Sequence, residues 1–176
     1  MKSLEYKNDN LFFDGIAIEE IANNIKTPFY IYSEETIKQN IKGYMSQASQ
    51  KTLFCYSVKA NSNLSLLKLI ASQGMGFDVV SKGELHRAIK AGANTKKIVY
   101  SGVGKTKEEI AYALNNKILC FNVESEEELV AINSQASLMK LKADISIRIN
   151  PDVKVKTHPY IATGMRENKF GIAFED

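Results

Sequence analysis

Lys59 stands at the end of the apolar run Leu53-Phe54-Cys55-Tyr56-Ser57-Val58, where a buried strand gives way to a turn. An ammonium is costly to bury unless it is paired or neutral. A desolvated lysine with a lowered pKa is what Schiff-base chemistry needs, because only the neutral amine attacks a carbonyl. By position alone, a lysine that merely leaves the core for solvent is the reading to prefer. Asp78 is the second candidate. It lies inside the apolar strand Phe77-Asp78-Val79-Val80, where a carboxylate is disfavoured. It must pair with a cation, Arg148 being one choice, or face a polar cavity. Gly102-Val103-Gly104-Lys105 has the look of a phosphate-loop fragment but completes neither G-x-x-x-x-G-K-[ST] nor G-x-G-x-x-G. A turn into a helix at Thr106 explains those glycines as well. His86 and His158 are too far apart for a metal site, and Cys55 and Cys120 sit in apolar runs without metal-type spacing. The two thiols are expected to be buried in strands, and no metal is expected.

The elements that position these residues alternate regularly from residue 33 onward. Ser33 precedes an amphipathic segment with Ile37, Ile41, Tyr44 and Met45 on one face, which predicts a helix. The strand Leu53–Val58 follows, then a helix capped by Ser62 and stopped by Gly74. Phe77–Val80, Ile98–Ser101, Ile118–Val123 and Ile145–Ile149 are the next strands. The helices between them start at capping-box patterns, Ser81 with Glu84, Thr106 with Glu109 and Ser125 with Glu128. The strands are short apolar runs rather than alternating ones, as expected of a parallel sheet covered on both faces. Five βα units leave an open doubly wound sheet or a (β/α)₈ barrel, and periodicity does not choose between them. A barrel takes roughly 250 residues, so this chain would hold part of one.

Chemistry in such folds collects at the C-terminal ends of the strands. Those ends carry Lys59 and Asn61, Ser81, Ser101 to Gly104, Asn122, and Arg148 with Asn150. The stretch from Pro151 to Lys169 lacks periodicity and is expected to be a functional loop, a lid over the site being one reading. Leu11-Phe12-Phe13-Asp14-Gly15 reads as a strand and turn that could pair with something outside this chain. The ending Phe170-Gly171-Ile172-Ala173-Phe174-Glu175-Asp176 looks cut rather than finished.

Composition narrows the function classes. A chain with 44% hydrophobic and 24% charged residues is of ordinary globular type. Its net charge of +3 comes without a basic block, so no nucleic-acid partner is expected. The N-terminus, Met1-Lys2-Ser3-Leu4-Glu5-Tyr6-Lys7, has no signal-peptide pattern, and no apolar stretch is long enough to span a bilayer. A cytoplasmic location with no membrane partner is the expectation.

Tyr56-Ser57-Val58-Lys59-Ala60-Asn61-Ser62-Asn63 resembles the pyridoxal-phosphate lysine motif of the diaminopimelate decarboxylases, among the alanine-racemase-like barrel decarboxylases. Gly76 to Leu85, Ser101 to Thr106 and Phe121 to Leu129 resemble the family's following strands and turns. Arg148 to Val153, Lys156 to Ile161 and Glu167 to Ile172 resemble its later signature, the part that separates these enzymes from ornithine and arginine relatives. The resemblance runs from about Thr27 to the end. It implies an α/β fold holding about five of the eight strands of a TIM-type (β/α)₈ barrel. Residues 33–176 would be the N-terminal part of that barrel, and residues 1–32 would belong with the β domain of the complete enzyme. It also implies pyridoxal 5'-phosphate on Lys59, with Asp78 and Arg148 supporting it. The implied reaction is decarboxylation of meso-2,6-diaminopimelate to L-lysine by a homodimer. The stretch from His158 to Lys169 would border the active-site mouth and dimer interface. The groups that stack on the ring, hold the phosphate and pair with the pyridine nitrogen would come after Asp176, so the chain alone is expected to be inactive. A decarboxylase of ornithine, arginine or a carboxylated polyamine such as carboxynorspermidine, and a non-catalytic cofactor-binding barrel, are the alternatives.

Overall fold

A computed structural model describes residues 4–49, 51–151 and 170–173. The stretches 152–169 and 174–176, with the loop and most of the later signature named above, lie outside the described residues. The chain divides into two compact units, Met1–Thr52 and Leu53–Asp176.

In the first unit β1 (Leu4–Lys7), β2 (Asn10–Phe13) and β3 (Ile16–Ala17) form an antiparallel sheet in that order. Its two turns, Asn8-Asp9 and Asp14-Gly15, have positive φ throughout, the geometry that two-residue hairpins favour and these residue types tolerate. The strand expected at Leu11 therefore finds its partners inside the chain: Phe12 lies opposite Glu5 on one side and Ala17 on the other. Helix α1 (Ile18–Asn24) follows. Helix α2 (Glu34–Ser46) begins where the Ser33 hydroxyl accepts a hydrogen bond from the Thr36 amide at 3.1 Å.

The second unit is a five-stranded parallel sheet, β4 (Cys55–Ser57), β5 (Gly76–Val79), β6 (Ile98–Tyr100), β7 (Cys120–Val123) and β8 (Ile145–Ile147), hydrogen-bonded in sequence order. A doubly wound sheet reverses its strand order at a switch point. Here each strand adds beside the last without reversal, which is barrel winding. Helices α3 (Leu64–Ser72), α4 (Lys82–Lys90), α5 (Lys107–Asn115) and α6 (Glu126–Leu138) fill the connections and pack successively on one another. Two short strands, β9 (Ile149–Asn150) and β10 (Ile172–Ala173), pair in parallel beyond β8.

The helix starts follow their capping residues, with one exception. Asn63 rather than Ser62 caps α3, its side-chain oxygen accepting from the Ser65 and Leu66 amides. Ser81, Thr106 and Ser125 accept from the amides of Glu84, Glu109 and Glu128. Only Thr106 and Glu109 complete the reciprocal box. The Glu84 carboxylate instead takes the Val80 amide, and Glu128 is engaged elsewhere.

The sheet is not apolar on both faces as its sequence suggested. Phe77, Val79, Ile98, Tyr100, Phe121 and Val123 are buried under Leu67, Leu85, Ile110 and Ile132 of the helices, with the Tyr100 and Phe121 rings stacked at 6.1 Å. The alternate residues Ser57, Asp78, Asn122 and Ser146 are only partly covered or exposed. Period-two alternation is therefore present, but strands of three or four residues are too short to display it plainly.

Candidate active site

Asp78 lies in register with Ser57 on β4 and Val99 on β6, so its carboxylate faces the polar side of the sheet. Its two oxygens accept from the Ser57 hydroxyl at 2.6 Å and the Ser101 hydroxyl at 2.5 Å. Ser101 in turn accepts from the Asn122 side-chain amide at 2.8 Å. One chain of polar groups thus crosses four neighbouring strands. It floors a cleft of about 390 Å³ lined by Asp78, Val99, Ser101, Asn122, Glu124, Ser146 and Arg148.

Arg148, between β8 and β9, lies at the same face, but its partner is Glu124 rather than Asp78. Arg148 Nη1 donates to Glu124 Oε1 at 3.0 Å and Oε2 at 3.2 Å. The guanidinium also sits 4.7 Å from the centroid of the Phe170 ring. Of the two possibilities open for Asp78, the polar cavity is the one realised.

Lys59 is the middle residue of a 3₁₀ turn, Val58–Ala60, directly after β4. The turn is braced by the Tyr56 hydroxyl donating to the Asn61 carbonyl at 3.1 Å. Val58 takes the buried position and Lys59 is exposed, so of the two readings of its position the lysine that leaves the core for solvent is the one found. Lys59 is at the C-terminal end of the strand neighbouring Asp78, and it is not among the residues lining the cleft.

The desolvated lysine is Lys105. Its side chain is 1% exposed, and its ammonium donates to the Gly102 carbonyl at 2.8 Å, the Asn122 carbonyl at 2.9 Å and Glu128 Oε1 at 2.7 Å. An ammonium has three protons to donate, and the protein takes all three. Gly102-Val103-Gly104-Lys105 is accordingly a pinned turn, not a phosphate loop. Gly102 has φ +99°, a value suited to glycine.

Burial, and after it the Asp78 charge, pushes the Cys55 thiol up, while burial and then Asp144 do the same for Cys120; neither is an activated thiolate. Burial alone would raise Glu109. Donation from the Thr106 and Lys82 amides and the Thr106 hydroxyl outweighs that and holds it below the usual carboxylate range. The sequence does not single out Glu124, and it places Lys105 only within the Gly102–Lys105 fragment, not as a buried ammonium. The only available signal was position, since each lies at or just beyond the C-terminal end of a strand.

A parallel sheet wound in sequence order, with helices on one face, a polar cleft holding an arginine and two carboxylates on the other, and a lysine at the end of a neighbouring strand, is part of a β/α barrel. Residues 34–176 match the family model described as pyridoxal-dependent decarboxylase, pyridoxal binding domain, and the chain belongs to that family. A diaminopimelate decarboxylase from Pseudomonas aeruginosa is 46% identical over 177 residues, covering 100% of this chain and 43% of that protein. The crystal structure of diaminopimelate decarboxylase from Helicobacter pylori complexed with L-lysine superposes with TM-score 0.85 at 51% identity, covering 89% of this chain and 40% of that one. The enzyme from M. jannaschii in co-complex with L-lysine gives TM-score 0.87 at 40% identity, covering 99% and 42%. The chain therefore spans about two fifths of the length of the relatives it matches.

Proposed function

We propose that the full-length protein is a pyridoxal-phosphate-dependent decarboxylase that converts meso-2,6-diaminopimelate to L-lysine and carbon dioxide, with Lys59 as the attachment point of the cofactor. The observation that carries the reading is the solvent-facing lysine at the end of β4, beside a strand whose Asp78 belongs to a polar cleft. These groups fit the cofactor chemically. It needs an accessible amine for its carbonyl, and its polar ring and anionic phosphate call for hydrogen-bond donors and a cation. Lys59, Asp78 and Arg148 would hold it. When bound, pyridoxal phosphate would supply an electron-withdrawing ring that accepts the electron pair left behind when a carboxylate departs as carbon dioxide. Ser57 and Ser101 orient Asp78 by donating to both its oxygens. Arg148 brings a fixed positive charge to the cleft, able to orient a carboxylate or phosphate. The identity to diaminopimelate decarboxylases at 46% and 51% supports the substrate. A homodimer, a cytoplasmic location, and residues 1–32 belonging to a separate β domain are part of the same proposal. Among the described residues no helix is long and apolar enough to cross a membrane.

Two measurements on the full-length protein test the reading. Lys59→Ala should abolish the visible absorbance of lysine-bound cofactor and reduce carbon dioxide release to background; a retained band contradicts the attachment point. Release from ornithine, arginine or carboxynorspermidine, with none from diaminopimelate, contradicts the substrate.

A further inference from the structure

Glu124 is the group in the cleft that the proposed attachment at Lys59 leaves unexplained. Its side chain is 2% exposed, and a buried carboxylate is costly unless a cation and hydrogen bonds compensate it. Both are present. Arg148 Nη1 reaches both its oxygens, and the Gly102 amide donates to Oε1 at 3.2 Å. That amide belongs to the turn whose carbonyl Lys105 holds, so the carboxylate is anchored from two elements. The cleft thus contains two carboxylates and one guanidinium, divided without overlap. Glu124 takes Arg148, and Asp78 takes two seryl hydroxyls.

We propose that Glu124 is a positioning residue that holds Arg148 at the cleft and away from Asp78, presenting the guanidinium to an anionic group, carboxylate or phosphate, of the bound molecule. Removing the Glu124 charge frees Arg148 to turn to Asp78, the other carboxylate lining the same cleft. That exchange neutralises the cation meant for the ligand and alters the environment of the acid. The inference rests on taking this cleft as the cofactor and substrate site.

The test is a double-mutant cycle in the full-length protein. Glu124→Gln keeps the side-chain size and an acceptor for the Gly102 amide but removes the charge. It should weaken binding of pyridoxal phosphate to the apoprotein, or raise KM, by about ten- to a hundredfold, the effect of one hydrogen bond to a charged group. The thermal midpoint should change little. Arg148→Met should give a similar loss, and the double variant no further loss, because Glu124 acts through Arg148. Wild-type affinity and KM in Glu124→Gln overturn the proposal, as do fully additive losses in the cycle. Should Glu124→Gln fail to fold, Glu124→Asp restores the charge one methylene short and should retain Arg148-dependent binding; independence from Arg148 there also overturns it. If the wild-type protein binds no pyridoxal phosphate, the decarboxylase reading fails by itself. Calorimetric binding of inorganic phosphate across the same four proteins then still reads the coupling of Glu124 to Arg148, and no binding by the wild-type protein overturns the proposal as well.

Discussion

Gly76 shows how narrowly the floor of the polar face is built. It opens β5, donates its amide to the Phe54 carbonyl at 2.8 Å, and lies opposite Cys55 on β4. A Cβ placed there would stand 2.3 Å from the Lys97 carbonyl oxygen and 2.9 Å from Cys55 Sγ. The first neighbour is backbone leading into β6 and cannot give way without loosening the ladder. Gly76→Ala should therefore destabilise the full-length protein by about 1–3 kcal/mol or more, as overpacking does. Gly43, within α2, has nothing within 4 Å of its Cβ position. Gly43→Ala should be neutral or stabilising, by up to about 1 kcal/mol. Urea midpoints of the two variants decide this, and similar values for both would contradict the packing argument. At this scale the sequence was informative about anomaly and silent about partners. A carboxylate inside Phe77-Asp78-Val79-Val80 announces a polar environment, but its partners Ser57 and Ser101 are more than 20 residues away in either direction. For the same reason the sequence offers Arg148 as one possible partner of Asp78 but does not point to Glu124, 24 residues from Arg148 and its actual partner.

Element starts were legible because a cap is written within four residues of the helix it begins. Ser33, Ser81, Thr106 and Ser125 all cap as their spacing predicts. The slip at α3 arose among three neighbouring residues that can all cap, Asn61, Ser62 and Asn63. Asn61 accepts from the Asn63 amide, which leaves Asn63 as the residue entering the helix. What holds one element against another could not be read this way. Lys105 ties the turn after β6 to the end of β7 and to α6, through Glu128, whose side chain is 8% exposed. Breaking a buried pair on one side strands the other charge. Lys105→Met should cost about 3–5 kcal/mol, and adding Glu128→Leu should recover part of it, since no unpaired carboxylate remains. Denaturant unfolding of the full-length single and double variants checks both statements. A single substitution costing less than about 1 kcal/mol would show that water, rather than Lys105, satisfies Glu128.

At the scale of the parallel sheet, the sequence-order winding separates two jobs onto two faces. One face is apolar and sealed by α3 to α6, and the other carries the hydroxyl, amide and charged groups of the cleft. The apolar runs alone disguised this division, since three-residue strands flanked by hydrophobic ends look uniformly buried. Phe121 and Asn122, adjacent on β7, expose the division to experiment. Phe121 is 1% exposed and stacks on Tyr100. Phe121→Ala should therefore lower stability by about 3–5 kcal/mol. Any loss of pyridoxal-phosphate affinity in that variant should follow only from the unfolded fraction. Asn122 is half-buried and holds the Ser101 hydroxyl that donates to Asp78. Asn122→Ala should cost no more than about 1.5 kcal/mol, one neutral hydrogen bond. It should weaken cofactor binding well below the temperature at which the protein unfolds, because Ser101 is then free to turn away from Asp78. Urea unfolding together with an absorbance titration of the apoprotein with pyridoxal phosphate separates the two effects. If Asn122→Ala proves the more unstable variant, or Phe121→Ala the one impaired in binding while fully folded, the assignment of core and cleft to opposite faces of the sheet is wrong.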